Sequence, residues 1–328
     1  MSAKLKRATP QWKRNTLNVA VVLAISGMYA APAWSAAPCP SGSISTVIST
    51  GCDASSITPG QSLTITSSGQ VNISSGAALS YSAALDGSLT NNGLISAGSG
   101  AAITAAGVRV ATDLSGSLTN TGTINAKSKV TAGSSDAYAY GIYVGNNLSG
   151  SLTNSGMINV IAKNANGLSV GSDAYAYGIY VNAGLTGTLT NSGTINVSAI
   201  STGSDAYAAT GIRVNGSMGV AGILNNSGTI NATATANSYA TPAVGIYVGS
   251  SMDGALTNSG TINATALSTS GWGATAYGMD INGTISGALT NSGVIRAAAT
   301  NSGPGYAYAY GMDLGSIGAT GTDRKSVV

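Results

Sequence analysis

The chain has 328 residues, a formal net charge of +3 and only 7% charged side chains, with no histidine, no phenylalanine and two cysteines. All ten acidic residues are aspartate. Ser-His-Asp and Cys-His catalysis and histidine metal sites are therefore excluded, and a glycosidase mechanism would have to run on aspartate pairs alone.

The positive charge is terminal. Lys4, Lys6, Arg7, Lys13 and Arg14 open the chain, and Arg324 and Lys325 close it. Between residues 37 and 322 six bases stand against nine aspartates, a net of −3. A mildly acidic body with scattered bases has no nucleic-acid footprint. After the basic stretch, Leu17 to Ala31 is an apolar run of signal-peptide length, too short for a membrane span. Small-x-small cleavage patterns follow at Ala33-Trp34-Ser35 and Ser35-Ala36-Ala37. Residues 1–36 therefore read as a signal peptide and the mature chain as exported. Pro38 before Cys39 argues against a lipoprotein. In an exported chain, Cys39 and Cys52 are expected to form a disulfide that closes a small loop. Residues 37–60 read as an N-terminal cap over the first strand edges.

From residue 61 a repeat takes over and runs to 322. The first rung, SLTITSSGQVNI, puts Leu63, Ile65, Gly69, Val71 and Ile73 on one parity. The motif L-T-N-x-G-x-I then starts at Leu89, Leu118, Leu152, Leu189, Leu224 (as LNNSGTI), Leu256 and Leu289. A second motif, G-I-Y-V, starts at Gly107, Gly141, Gly178, Gly211, Gly245, Gly278 and Gly311. A period of about 33 residues, with strict alternation such as Leu118, Asn120, Gly122, Ile124, Ala126, predicts stacked strands. Each repeat supplies about three strands and three corners. The fold class is all-β, a parallel β-helix, and the chirality of parallel crossovers makes a right-handed coil the expectation. In G-I-Y-V, the second and fourth positions are always apolar and are assigned to the core. The third reads Arg109, Tyr143, Tyr180, Arg213, Tyr247, Asp280, Asp313 and is assigned to water.

The Asn of L-T-N falls on the inward parity in all seven copies: Asn91, Asn120, Asn154, Asn191, Asn226, Asn258 and Asn291. Two readings fit. Stacked copies can form a hydrogen-bonded Asn ladder along the axis, or each Asn can serve the turn that follows it. The Tyr-Ala-Tyr stretches at Tyr138, Tyr140, Tyr175, Tyr177, Tyr308 and Tyr310 share the parity of the inward Ile and Val. Their equivalents Thr104, Ala208 and Pro242 look like surface. A bend at the following Gly would turn them outward, where they could stack along the axis or bind sugars or partners. No catalytic, cofactor or metal site emerges. Asp280 and Asp313 occupy equivalent positions in consecutive repeats, and two carboxylates there could hold Ca²⁺, but they read as solvated acids. So do Asp136, Asp173 and Asp205 in the GSDAY copies.

With its long basic leader, its SLTITSSGQV first rung and its tandem G-x-L-T-N-x-G-x-I rungs, the chain resembles the passenger domain of bacterial autotransporters, the pertactin-like β-helix group, over roughly residues 1–315. The resemblance implies secretion through the protein's own C-terminal outer-membrane barrel. It also implies display or release as an adhesin or other surface factor that meets host or neighbouring-cell surface molecules; the residues themselves, with no catalytic constellation, lead to the expectation of no enzymatic activity and no cofactor. These 328 residues contain no such barrel. They also lack the histidine of protease passengers and the N-P-N-L signature of two-partner secretion. A polysaccharide-acting β-helix enzyme and a two-partner or surface-layer solenoid are the alternatives. The last six residues, 323–328, DRKSVV, match nothing before them. They are what GAT CGG AAG AGC GTC GTG encodes, a sequencing adapter, so a non-native tail is expected, with further repeats in the native gene. A genuine basic tail is the other possibility.

Overall fold

The computed structural model describes residue 39 and residues 42–44, 47–48, 52–53, 62–98, 103–131, 135–165, 173–202, 208–237, 239–271, 273–317 and 322–324. The leader, most of the cap, Asp205 and residues 325–328 lie outside them. The described chain is all-β, with every strand in one of three parallel sheets. One sheet has ten strands and stacks the L-T-N segments, such as Ser151–Asn154. The second has nine strands and stacks the I-N segments, such as Met157–Asn164. The third, also of nine strands, stacks the G-I-Y-V segments, such as Ala137–Val144. Each turn of chain visits the three in that order, giving a β-solenoid of about seven turns with roughly 33-residue periodicity.

Register is set residue against equivalent residue. Leu118 pairs with Leu89 and Leu152, and Ile158 with Ile124 and Ile195. A slip of one would turn every apolar side chain outward, so burial fixes it. One full turn of inward residues reads Leu152, Asn154, Ile158, Val160, Ala162, Ala174, Ala176, Ile179, Val181 and Leu185, all buried. Where the second sheet meets the third, the inward positions shrink to alanine. Within residues 37–60, Gly42–Ile44, Val47–Ile48 and Cys52–Asp53 pair in parallel with the first strands of the three sheets, so this segment forms a small rung of its own. Cys39 and Cys52 are disulfide-bonded there, with Cα atoms 4.8 Å apart. At the other end Thr322–Arg324 pairs with Ala288–Thr290, which sets Asp323 opposite Leu289, where the other rungs have an apolar residue.

A corner ladder lies outside the strands except at Ile285, which ends the strand Gly273–Ile285. Leu85, Leu114, Leu148, Leu185, Met218, Met252 and Ile285 bridge one another from rung to rung, and all are buried. The one copy with two extra residues, between Gly211 and Leu224, keeps Met218 in this ladder. It absorbs the excess in a turn closed by Gly222 N–H donating to Gly219 C=O at 2.7 Å, which leaves Val220 85% exposed. Length variation is tolerated where strand register is untouched.

Tyr81, at the end of its third-sheet strand and 5% exposed, has its phenol pKa pushed up by burial. Its folded pKa exceeds its unfolded value of about 10. The native state therefore keeps a proton that the unfolded chain releases, and stability present below pH ~10 is lost as pH rises beyond it. We expect wild type to lose ~1.4 kcal/mol more per pH unit above pH 10 than Tyr81→Phe, measured by urea unfolding between pH 9 and 11. Equal slopes would contradict this burial.

Candidate functional site

The inward Asn side chains form one hydrogen-bonded file. Each Nδ2 donates to the Oδ1 of the next copy: Asn91 to Asn120, Asn120 to Asn154, Asn154 to Asn191 and Asn191 to Asn226 at 2.7 Å, Asn226 to Asn258 at 2.6 Å, and Asn258 to Asn291 at 2.7 Å. The same amides serve the turn. Asn191 Nδ2 also reaches the Gly193 carbonyl at 3.5 Å, and Asn91 Oδ1 accepts from Gly93 N–H at 3.2 Å. Ladder and turn are thus one arrangement rather than alternatives. The file begins at Asn91 because the preceding rung has Ile65 in that place. Satisfying each buried amide through its neighbours avoids the cost of burying it alone.

A second amide file lies beyond the expectations set by the sequence. On the outward face of the second sheet, Asn159 donates to Asn125 and Asn196 to Asn159 at 2.9 Å, and Asn231 donates to Asn196 and Asn263 to Asn231 at 2.8 Å. It runs in the opposite direction, toward the N-terminal rungs. The signal was available: five copies carry Asn after the motif Ile, at a position where exposure would otherwise let the residue vary.

The tyrosines turn outward, and Gly141 shows why. The paired register passes over it, so Ala139 and Ile142 both point inward although they are three residues apart. Tyr138, Tyr140 and Tyr143 consequently share the outer face. Tyr138 stacks on Tyr175 with ring centroids 4.7 Å apart, Tyr140 on Tyr177 at 5.3 Å and Tyr143 on Tyr180 at 5.5 Å. Tyr177 and Tyr180 add an edge-on contact at 5.0 Å. The assignment of the third G-I-Y-V position to water therefore needs correcting. Tyr180 is only 1% exposed, because stacked rings bury one another within an outer aromatic cluster distinct from the core. Burial, then the neighbouring Asp173 carboxylate, pushes the Tyr175 phenol pKa upward. Arg213 continues this column, its guanidinium 4.1 Å from the Tyr247 ring centroid and its Nη2 donating to Asn215 Oδ1 at 2.9 Å. Burial alone would lower its pKa, but Tyr177, Tyr247, Tyr180 and Asp280 hold it above the ordinary arginine value. In the Tyr138–Tyr175 and Tyr140–Tyr177 pairs stacking covers one face of each ring, and the register partners on the other side are Thr104, Ala106, Ala208 and Thr210.

The acids of neighbouring rungs lie in axial pairs rather than around a cleft. Asp136 Oδ2 accepts the Tyr138 hydroxyl at 2.9 Å and its Oδ1 the Asp173 amide at 2.9 Å. Arg213 is the register partner of Tyr180, seven residues along the strand from Asp173, a separation of roughly 20 Å. No Asp/Arg cleft is assembled from these residues. Asp280 and Asp313 are register partners, two carboxylates side by side. No group of three His, Cys, Asp or Glu able to hold a metal occurs among the described residues. A shallow groove of ≈ 570 Å³ runs along the turn after L-T-N, from Ser192-Gly193-Thr194 to Ser292-Gly293-Val294. It holds hydroxyls and backbone and no titratable group. No protein-family model matches the chain, and no curated protein or solved structure matches it either.

Proposed function

We propose that the protein is an exported, non-enzymatic solenoid that stands at or beyond the cell surface as a structural or adhesive passenger of the bacterial autotransporter kind. The observation that carries this is the uninterrupted parallel solenoid, whose polar residues serve to hold rungs together. The buried amides form an axial file and the outer tyrosines stack on each other, while Arg213 lies far along the strand from Asp136 and Asp173, which stack on neighbouring rungs. A basic leader followed by an apolar run, and a disulfide in the first rung, support an oxidising compartment outside the cytoplasm.

Expression from the native locus with an antibody against the repeats tests the proposal. The expected result is labelling of intact cells, removal of the signal by added protease, and a mature N-terminus close to residue 37, with Cys39 and Cys52 joined in the unreduced peptide. A chain recovered whole from the cytosol, with residues 1–36 attached and free thiols, would overturn it. Release of reducing sugar from polysaccharide by the purified chain would favour the enzymatic alternative.

A further inference from the structure

The solenoid sorts charge by face. The second sheet carries Lys127, Lys129, Lys163 and Arg296, four of the six bases between residues 37 and 322, and none of the nine aspartates. The nearest acids in sequence, Asp136 and Asp173, immediately precede third-sheet strands, and Asp136 is occupied by the Tyr138 hydroxyl and a backbone amide. Lys127 and Lys129 are exposed, and Lys163 is half-buried. Lys129 and Lys163 are register partners on adjacent rungs, and Lys127 lies two residues from Lys129, on the same side of the sheet. Rungs ~4.8 Å apart and alternate residues ~6.6 Å apart put the three side chains in one small patch. None of the three has an ion-pair partner among the described residues. Like charges set directly across strands are unfavourable.

We propose that this face binds a linear polyanionic polysaccharide laid along the solenoid axis. The lysine patch would engage its sulfate or carboxylate groups, and Arg296, four rungs beyond Lys163 and roughly 23 Å from it, a second charged position. Between them the face offers the Asn amide file and outward threonines such as Thr194 and Thr229, hydrogen-bonding groups suited to the hydroxyls of a sugar chain. A lipid surface fits less well. The second sheet has no aromatic side chain to seat at a membrane interface, and a membrane would ask for a broad basic apolar face rather than one cluster and a distant arginine. The proposal deepens the surface reading above by naming a ligand class, but binding in solution does not depend on how the chain is exported.

Immobilised dextran sulfate is the probe, with the full chain applied at low salt. We expect wild type to bind and to be released by a salt gradient. Lys127→Gln/Lys129→Gln/Lys163→Gln should bind at least tenfold more weakly, and the corresponding triple arginine variant should keep its affinity. The five bases of residues 1–36 are common to all three proteins, so only the comparison between them is read. Removing the facing lysines should also leave the melting temperature unchanged or raise it, which separates lost binding from lost folding. Equal retention of wild type and the triple glutamine variant would overturn the proposal. So would wild-type binding to phosphatidylglycerol vesicles without binding to dextran sulfate. A cytosolic chain that still binds dextran sulfate through these lysines would sink the export reading alone.

Discussion

Asn191→Ala is expected to destabilise the protein by about 2–5 kcal/mol. Asn191 Oδ1 accepts from Asn154 Nδ2, and Asn191 Nδ2 donates to Asn226 Oδ1, both at 2.7 Å in a file that water does not reach. Truncation removes one acceptor and one donor at once. Each orphaned buried group costs about 1–3 kcal/mol, and the small cavity adds to that. The internal control is Asn196→Ala in the outer file. There Asn196 donates to Asn159 at 2.9 Å and accepts from Asn231 at 2.8 Å in half-buried surroundings. Water can replace both bonds, so the cost should stay under ~1 kcal/mol. Denaturant unfolding of the two variants makes the comparison. Equal costs would mean that the inner file contributes no more than a surface ladder does.

The contrast between the two Asn files also shows what the sequence could reveal. Leu118, Asn120, Gly122, Ile124 and Ala126 alternate without a break, so the inward Asn was placed by parity alone. The strand with Tyr140 was harder. Parity counting assumes one side-chain flip per residue, and at Gly141 two consecutive residues point inward, so the period could not locate the tyrosines. The bend was inferred from what replaces them in other copies, not from their own spacing. Arg and Asp at the equivalents of Tyr180 suggest a water-facing position. Its burial comes from ring stacking between rungs, which becomes visible only once Tyr143 and Tyr177 are placed beside it. The Leu148 ladder escaped notice because it sits on a corner outside any alternating run. The basic face escaped for a related reason. Lys129 and Lys163 look scattered at 34 residues' separation, and the solenoid makes them neighbours.

The same glycine row that bends the third sheet should be the least forgiving position in the molecule. A Cβ on Gly178 would stand 2.4 Å from the Gly211 carbonyl oxygen of the next rung and 2.4 Å from Ile195 Cγ2. The isoleucine is β-branched and fully buried, with little room to rotate. The carbonyl cannot yield either, because the rungs on either side of it are held in register by Ile179 pairing with Ile212 and Val181 with Val214. Gly178→Ala therefore has to separate two stacked strands or push the bend out of the core. Overpacking of a rigid core costs about 1–3 kcal/mol and sometimes more, and with backbone as the obstacle we expect at least ~3 kcal/mol. A solenoid is stabilised by contacts between neighbouring rungs only, so the damage should also be local in position. Urea unfolding should split into two transitions, and amide exchange should accelerate first in Ala174–Val181 and Ala208–Val214, either side of the fault. Thr194→Ala, on the outward face of the same turn of chain, should change stability by less than ~0.5 kcal/mol. A single transition for Gly178→Ala within ~0.5 kcal/mol of wild type would show that the rungs can part freely at this corner, and that close approach of the backbone does not set the bend.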